Sequence, residues 1–93
     1  MAKLTDDELQ AELGRLGGWA IHDGELEKTY SFSTFPDGIA FVTRVADQAE
    51  EAEHHPDIDI RYSTVTLRLS THSEGGITRK DVNLARKIDG LLR

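Results

Sequence analysis

The sequence contains no cysteine, and that absence removes disulfides and thiolate metal sites together. It has no apolar run approaching the length of a transmembrane span. The first residues lack the apolar core of a secretory signal, so a cytoplasmic location is the expectation. Cations are scarce: 11 Lys and Arg stand against 17 Asp and Glu, a formal net charge of −6. Nucleic-acid binding is thereby disfavoured, because neutralising phosphates takes a basic patch. Arg79, Lys80, Arg86 and Lys87 do not supply one, since Asp81 and Asp89 are interleaved with them. Repeats, low-complexity segments and long linkers are also missing, which points to one domain over residues 1–93. A domain of this size buries only about 60–65% of its unfolded surface, so assembly into a dimer or tetramer is a natural supplement.

What is present reads as punctuated amphipathic segments. Leu4-Thr5-Asp6-Asp7-Glu8-Leu9 is a helix start, with Thr5 as cap, Glu8 as its capping-box partner, and Leu4 and Leu9 as a staple. Leu9, Leu13 and Leu16 mark one face, and Gly17-Gly18 is the expected stop. Trp19 to Phe32 reads as a hairpin turning at Asp23-Gly24. His22 falls beside that turn as an exposed strand-end residue with no catalytic role. Thr34-Phe35-Pro36-Asp37 starts a second helix. Its apolar positions form two stripes: Ile39, Val42, Ala46 and Ala49, and beside them Phe41, Val45 and Ala52. Such a wide sector fits a well-buried helix or one that also meets a partner chain.

Pro56 ends that helix, because the residue before a proline avoids helical geometry. Asp57 to Tyr62 and Val65 to Ser70 then alternate as a second hairpin, turning at Ser63-Thr64. Thr78 and Asp81 repeat the capping box ahead of a last helix, with Val82, Ala85, Ile88 and Leu92 on its buried side. For Asp81 the capping role is the preferred reading. Arg61 and Arg68 are assigned to a solvated sheet face. The order α-β-β-α-β-β-α implies an α+β fold: a four-stranded antiparallel sheet with three helices on one face.

Chemistry concentrates where the second helix stops. Glu50-Glu51-Ala52-Glu53-His54-His55-Pro56 packs three carboxylates and two imidazoles into seven residues, and His72 follows at the end of a later strand. Imidazoles titrate nearest neutrality and so exchange protons at physiological pH. The carboxylates also sit at the negative end of the helix dipole, a local conflict of the kind expected at functional sites. From residue types alone, His54 and His55 read as a helix end and a solvated turn. The wider pattern reverses that reading.

Glu50-x3-His54-His55-Pro56, Tyr62, Leu69-Ser70-Thr71-His72, Asp81-x-Asn83-Leu84-Ala85 and Thr43-Arg44-Val45-Ala46 together resemble the pterin-4a-carbinolamine dehydratase family. The resemblance spans nearly the whole chain. It implies removal of water from a 4a-hydroxytetrahydropterin to give quinonoid dihydropterin, without metal or cofactor. It further implies a small-molecule pterin as partner and homo-oligomers built through sheet edges and the central helix. By the same resemblance, His54 and His72 exchange protons with the substrate while His55 holds and orients it. Glu50 favours the charged form of a neighbouring imidazole. Backbone groups at Thr71 and His72 are expected to add hydrogen bonds, since strand ends leave such groups unpaired. One departure is that animal members carry a tryptophan soon after the proline, where Ile58 stands here.

Two other readings stand beside this one. Three histidines and a glutamate have the ligand chemistry of a divalent-metal site, although their spacing matches no helical His-x3-His pair. A non-catalytic dimerisation or binding module is the other, since some relatives also serve as partner proteins for a transcription factor. Retention of the histidines argues against it.

Overall fold

The computed structural model describes residues 2–92. Thr5 caps α1 (Asp6–Leu13) by accepting from the Glu8 amide, and the Glu8 carboxylate returns the bond to the Thr5 amide. The helix stops at Leu13 rather than at the expected Gly17-Gly18. After Leu13 the amides bond three or four residues back in irregular turns, and Leu16 drops from this turn into the core. Gly18 has a left-handed φ of 83°, and a Cβ there would sit 2.9 Å from Lys28 Cε. Only glycine satisfies both constraints.

The strands β1 (Ala20–His22) and β2 (Glu25–Ser31) form the expected hairpin, with Asp23 and Gly24 at φ 50° and 76°. That left-handed pair matches the strand twist. In β2, Leu26 and Tyr30 are buried. Lys28 shares their parity because its ammonium has fixed partners: Asp89 Oδ1 at 2.9 Å and the Gly17 carbonyl at 2.6 Å. Asp89 also accepts from Tyr30 Oη at 2.8 Å and Trp19 Nε1 at 3.1 Å, so one carboxylate ties the last helix to the first hairpin. Burial and the Asp89 charge push the Tyr30 phenol far up, so it stays a donor.

The central helix α2 (Phe35–Ala52) is capped by Thr34, with Pro36 in its first turn. The two apolar stripes divide the work unequally. Gly38, Phe41, Val45 and Ala49 are buried against the sheet, with Gly38 close to Val65. Phe41 also packs on Tyr30 and Phe32, ring centroids 4.8 and 5.1 Å apart. Ile39 is left exposed and Val42 only half-buried. The register that seats Gly38 over the sheet turns Ile39 and Ala46 of the first stripe outward, while Ala49 at its end stays buried.

Strands β3 (Asp57–Arg61) and β4 (Thr64–Leu69) pair from Asp57↔Arg68 to Arg61↔Thr64. The turn is therefore Tyr62-Ser63, one residue earlier than expected, and Tyr62 leaves the strand with φ 52° and is 75% exposed. The sheet order is β1-β2-β4-β3, antiparallel throughout. Its inner face carries Val65, Leu67 and Leu69, all fully buried beneath the helices. Its outer face is polar and internally bonded: Arg68 to Glu27, Ser70 to Glu25, and Thr29 to Thr66. Edge strand β3 leaves Ile58 and Ile60 part-exposed.

A 3₁₀ turn (His72–Glu74) precedes α3 (Arg79–Gly90), whose capping box joins Thr78 and Asp81. Val82, Leu84, Ala85 and Ile88 are buried, whereas Leu92 lies beyond the helix end and is half exposed. The helices are fastened to each other by Glu12 of α1, which is buried and ion-paired to both Arg79 and Arg86.

Candidate active site

The geometry begins with how α2 stops. Glu53 adopts φ 51° and ψ 41°, a left-handed conformation uncommon for a side chain with a Cβ. Its amide bonds the Glu50 carbonyl, and the His54 amide bonds the Ala49 carbonyl at 3.0 Å. This pair of bonds closes the helix end and turns the chain back on itself. Local strain of this kind persists where the surroundings hold it, commonly at functional sites. Its result is that His54 comes to rest under the start of α3.

There His54 Nε2 lies 2.5 Å from Asp81 Oδ1. Asp81 is wholly buried, and its other oxygen accepts from the Thr78 amide at 2.8 Å and from Thr71 Oγ1 at 2.9 Å. A carboxylate has only acceptors to offer, so Nε2 carries the hydrogen and Nδ1 is left as the free ring nitrogen. His54 is thus held as a mostly buried, fixed-tautomer imidazole, its side chain 12% exposed. The capping role foreseen for Asp81 is present, and a second role sits on the same carboxylate. Local spacing gave no signal for it, because His54 and Asp81 are 27 residues apart.

His55 points the other way. It pairs with Glu50 across the helix end, and both side chains are largely exposed. Glu50 therefore grips His55, not His54, and lies outside the residues lining the cleft.

His72 opens the 3₁₀ turn, inside a loop closed by the bridge between Thr71 and Gly76. Its carbonyl accepts from the Gly75 amide at 3.1 Å, and Gly75 takes φ 73°. The backbone is thereby fixed while the ring is exposed, with no hydrogen-bond partner among the described residues. Thr71 differs from expectation. Its amide donates to the Gly76 carbonyl at 2.8 Å, its own carbonyl accepts from Glu74, and its hydroxyl serves Asp81. The closed loop consumes both Thr71 backbone groups and the His72 carbonyl, so Thr71 acts mainly by supporting Asp81.

These pieces border one open cleft of about 360 Å³, lined by His54, His55, His72, Ser70, Ser73 and Lys80, with Glu53 and Thr71. Three histidines from two separate segments thus border a common space, His55 with its ring turned toward Glu50. Its walls are imidazoles, hydroxyls and charges, and Ile58 is not among them. The sequence assigned no site role to the two serines or to Lys80. Among the described residues, no three His, Cys, Asp or Glu side chains converge closely enough to hold a metal ion. No helix among them is long and apolar enough to cross a membrane.

Comparison with known proteins gives consistent likenesses. A family model for pterin 4 alpha carbinolamine dehydratase matches residues 2–91. A provisionally named pterin-4-alpha-carbinolamine dehydratase from Mycolicibacterium vanbaalenii is 59% identical over 92 residues, covering 99% of both chains. One from Herpetosiphon aurantiacus is 55% identical over 89 residues, covering 96% of this chain and 93% of that one. The crystal structure of a transcriptional coactivator/pterin dehydratase from Brucella melitensis superposes with a TM-score of 0.92 at 33% identity, over 96% of this chain and 97% of that one. A pterin dehydratase-like RuBisCO assembly factor of the alpha-carboxysome superposes with a TM-score of 0.64 at 23% identity, over 78% and 84% of the two chains. At that identity the likeness is one of fold.

Proposed function

The chain belongs to the pterin 4 alpha carbinolamine dehydratase family, and from that premise we propose that it dehydrates 4a-hydroxytetrahydrobiopterin to quinonoid dihydrobiopterin, in recycling of the tetrahydro form. The observation that carries the reading is the cleft itself: three histidines border one space, one of them tied to a buried carboxylate.

The elimination breaks the C4a–O bond. The leaving hydroxyl takes a proton and departs as water, while the N5 lone pair forms the N5=C4a double bond. The N5 proton goes to a base, so one proton enters and one leaves. His54 suits the base, because Asp81 fixes its tautomer with Nδ1 free and stabilises the imidazolium that forms. His72, exposed and otherwise unpartnered among the described residues, supplies the proton to the hydroxyl. Each transfer is worth roughly 10²–10⁴-fold. His55, steadied by Glu50, holds the ring edge, and the Ser70 and Ser73 hydroxyls supply further polar contacts.

A second reading, a protein-binding module, is favoured by the Brucella coactivator likeness together with the part-exposed Ile58, Ile60, Phe35 and Ile39. The two are separated by a stopped-flow assay that generates the carbinolamine and follows its dehydration, with and without chelator. Catalysis proportional to protein and indifferent to chelator is expected. A rate equal to the uncatalysed one would leave the binding module.

A further inference from the structure

Helix α3 carries its basic residues as two heptad-spaced pairs with different fates. Arg79 and Arg86 turn to one side and clamp Glu12. Lys80 and Lys87 turn to the adjacent side, where neither has an ion-pair or hydrogen-bond partner for its ammonium among the described residues. Between them lies a pocket of about 160 Å³, completed by Asn83 and His54 over a floor of Ala52 and Leu84. In a chain of net charge −6, two uncompensated cations on one small pocket are an exception to the general balance.

This pocket is an annex of the catalytic cleft, since His54 and Lys80 line both. The far end of the cleft has the opposite sign. Beyond His72 and Ser70 it opens into a space of about 370 Å³ bordered by Asp23, Glu25 and Asp57. An anionic group is therefore repelled at the His72 end and attracted into the Lys80–Lys87 pocket, whose lining, unlike that of the cleft with its Glu53, includes no carboxylate.

Resting on the dehydratase reading above, we infer that the Lys80–Lys87 pocket receives an anionic substituent, phosphate or carboxylate, carried on the side chain of the pterin. The chemistry fits in three respects. Two ammonium groups and the Asn83 amide offer donors, and charge-assisted bonds are the stronger kind. The apolar floor lowers the local dielectric and strengthens the attraction. The volume equals roughly five waters, at about 30 Å³ each, enough for a phosphate and its linking carbon. Because His54 lines both spaces, a tail seated there leaves the ring beside the imidazoles. The pocket thus fixes which way round the substrate lies.

The test uses binding rather than turnover. The intact chain is titrated with 6-hydroxymethylpterin and with its phosphate monoester, following pterin fluorescence at low ionic strength. The ester is expected to bind on the order of tenfold more tightly, with the advantage shrinking as salt is added. Lys87→Gln, which lies outside the catalytic cleft, is expected to remove most of the advantage and leave the neutral pterin's Kd unchanged. Lys87→Arg should retain it, and inorganic phosphate should compete with the ester alone. Equal affinities for the two pterins, or an advantage that survives Lys87→Gln, would overturn the inference and leave the dehydratase reading standing. Failure of both pterins to bind would overturn the two together.

Discussion

Asp81 receives three donors on two oxygens, from Thr78, Thr71 and His54, with no exposed surface. Replacing it by alanine removes the N3 half of the capping box whose N-cap is Thr78. It also strands buried donors, at about 1–3 kcal/mol each. Asp81→Ala is therefore expected to lose about 3 kcal/mol in urea unfolding. Asp81→Asn, which keeps the volume but turns a donor toward one of its neighbours, should unfold less easily than the alanine variant yet still lose activity. Full activity in Asp81→Asn would mean that the His54 tautomer does not matter. At His55 the expected signature differs. Its ring is held by Glu50 at the rim, so His55→Ala should raise KM more than it lowers kcat. A large fall in kcat at constant KM would exchange the roles of the two adjacent histidines. The histidines were singled out through the family resemblance carried by the motifs around them, since from residue types alone His54 and His55 read as a helix end and a solvated turn. The partner of His54 was not legible, since Asp81 already had a sufficient local explanation in the capping box.

The elements were legible where a side chain caps or a glycine turns. Thr5, Thr34 and Thr78 mark three helix starts, and Asp23-Gly24 marks the first hairpin. Ends and registers were less so. α1 stops at Leu13 because Leu16 and Trp19 are drawn into the core, and tertiary burial of that kind leaves no local trace. The left-handed Tyr62 is likewise a position that residue type argues against. The clamp between α1 and α3 has a consequence for acid stability. Hydrogen bonding from Arg79, aided by Arg86, holds the Glu12 carboxyl below its ordinary 4.5. A lowered folded value means the clamp stabilises fully above about pH 4.5 and is lost as pH falls through the folded value. Denaturation midpoints measured from pH 6 to pH 3 should therefore fall more steeply for the wild type than for Glu12→Gln. Parallel curves would show that the two arginines contribute nothing to folding.

At the scale of the whole molecule, the helices cover one face of the sheet, but apolar side chains remain uncovered, and two pairs of them fall together. Ile58 and Ile60 lie along edge strand β3, and Phe35 and Ile39 lie on the outer side of α2. For a domain this small, such surfaces suit self-association. Light scattering at micromolar concentration should give at least a dimeric mass, and a monomer would mean these residues serve another partner. The proposed chemistry requires only that the two segments carrying His54 and His72 be brought to one cleft. Neither side chain belongs to the apolar core, so each can be removed without opening a cavity there. The most direct measurement is the stopped-flow dehydration rate of the carbinolamine for wild type, His54→Ala, His72→Ala and the double variant, at matched circular dichroism. Each single variant is expected to lose roughly 10²-fold or more, with the double variant near the uncatalysed rate. Wild-type rates in both single variants would contradict proton transfer by these imidazoles.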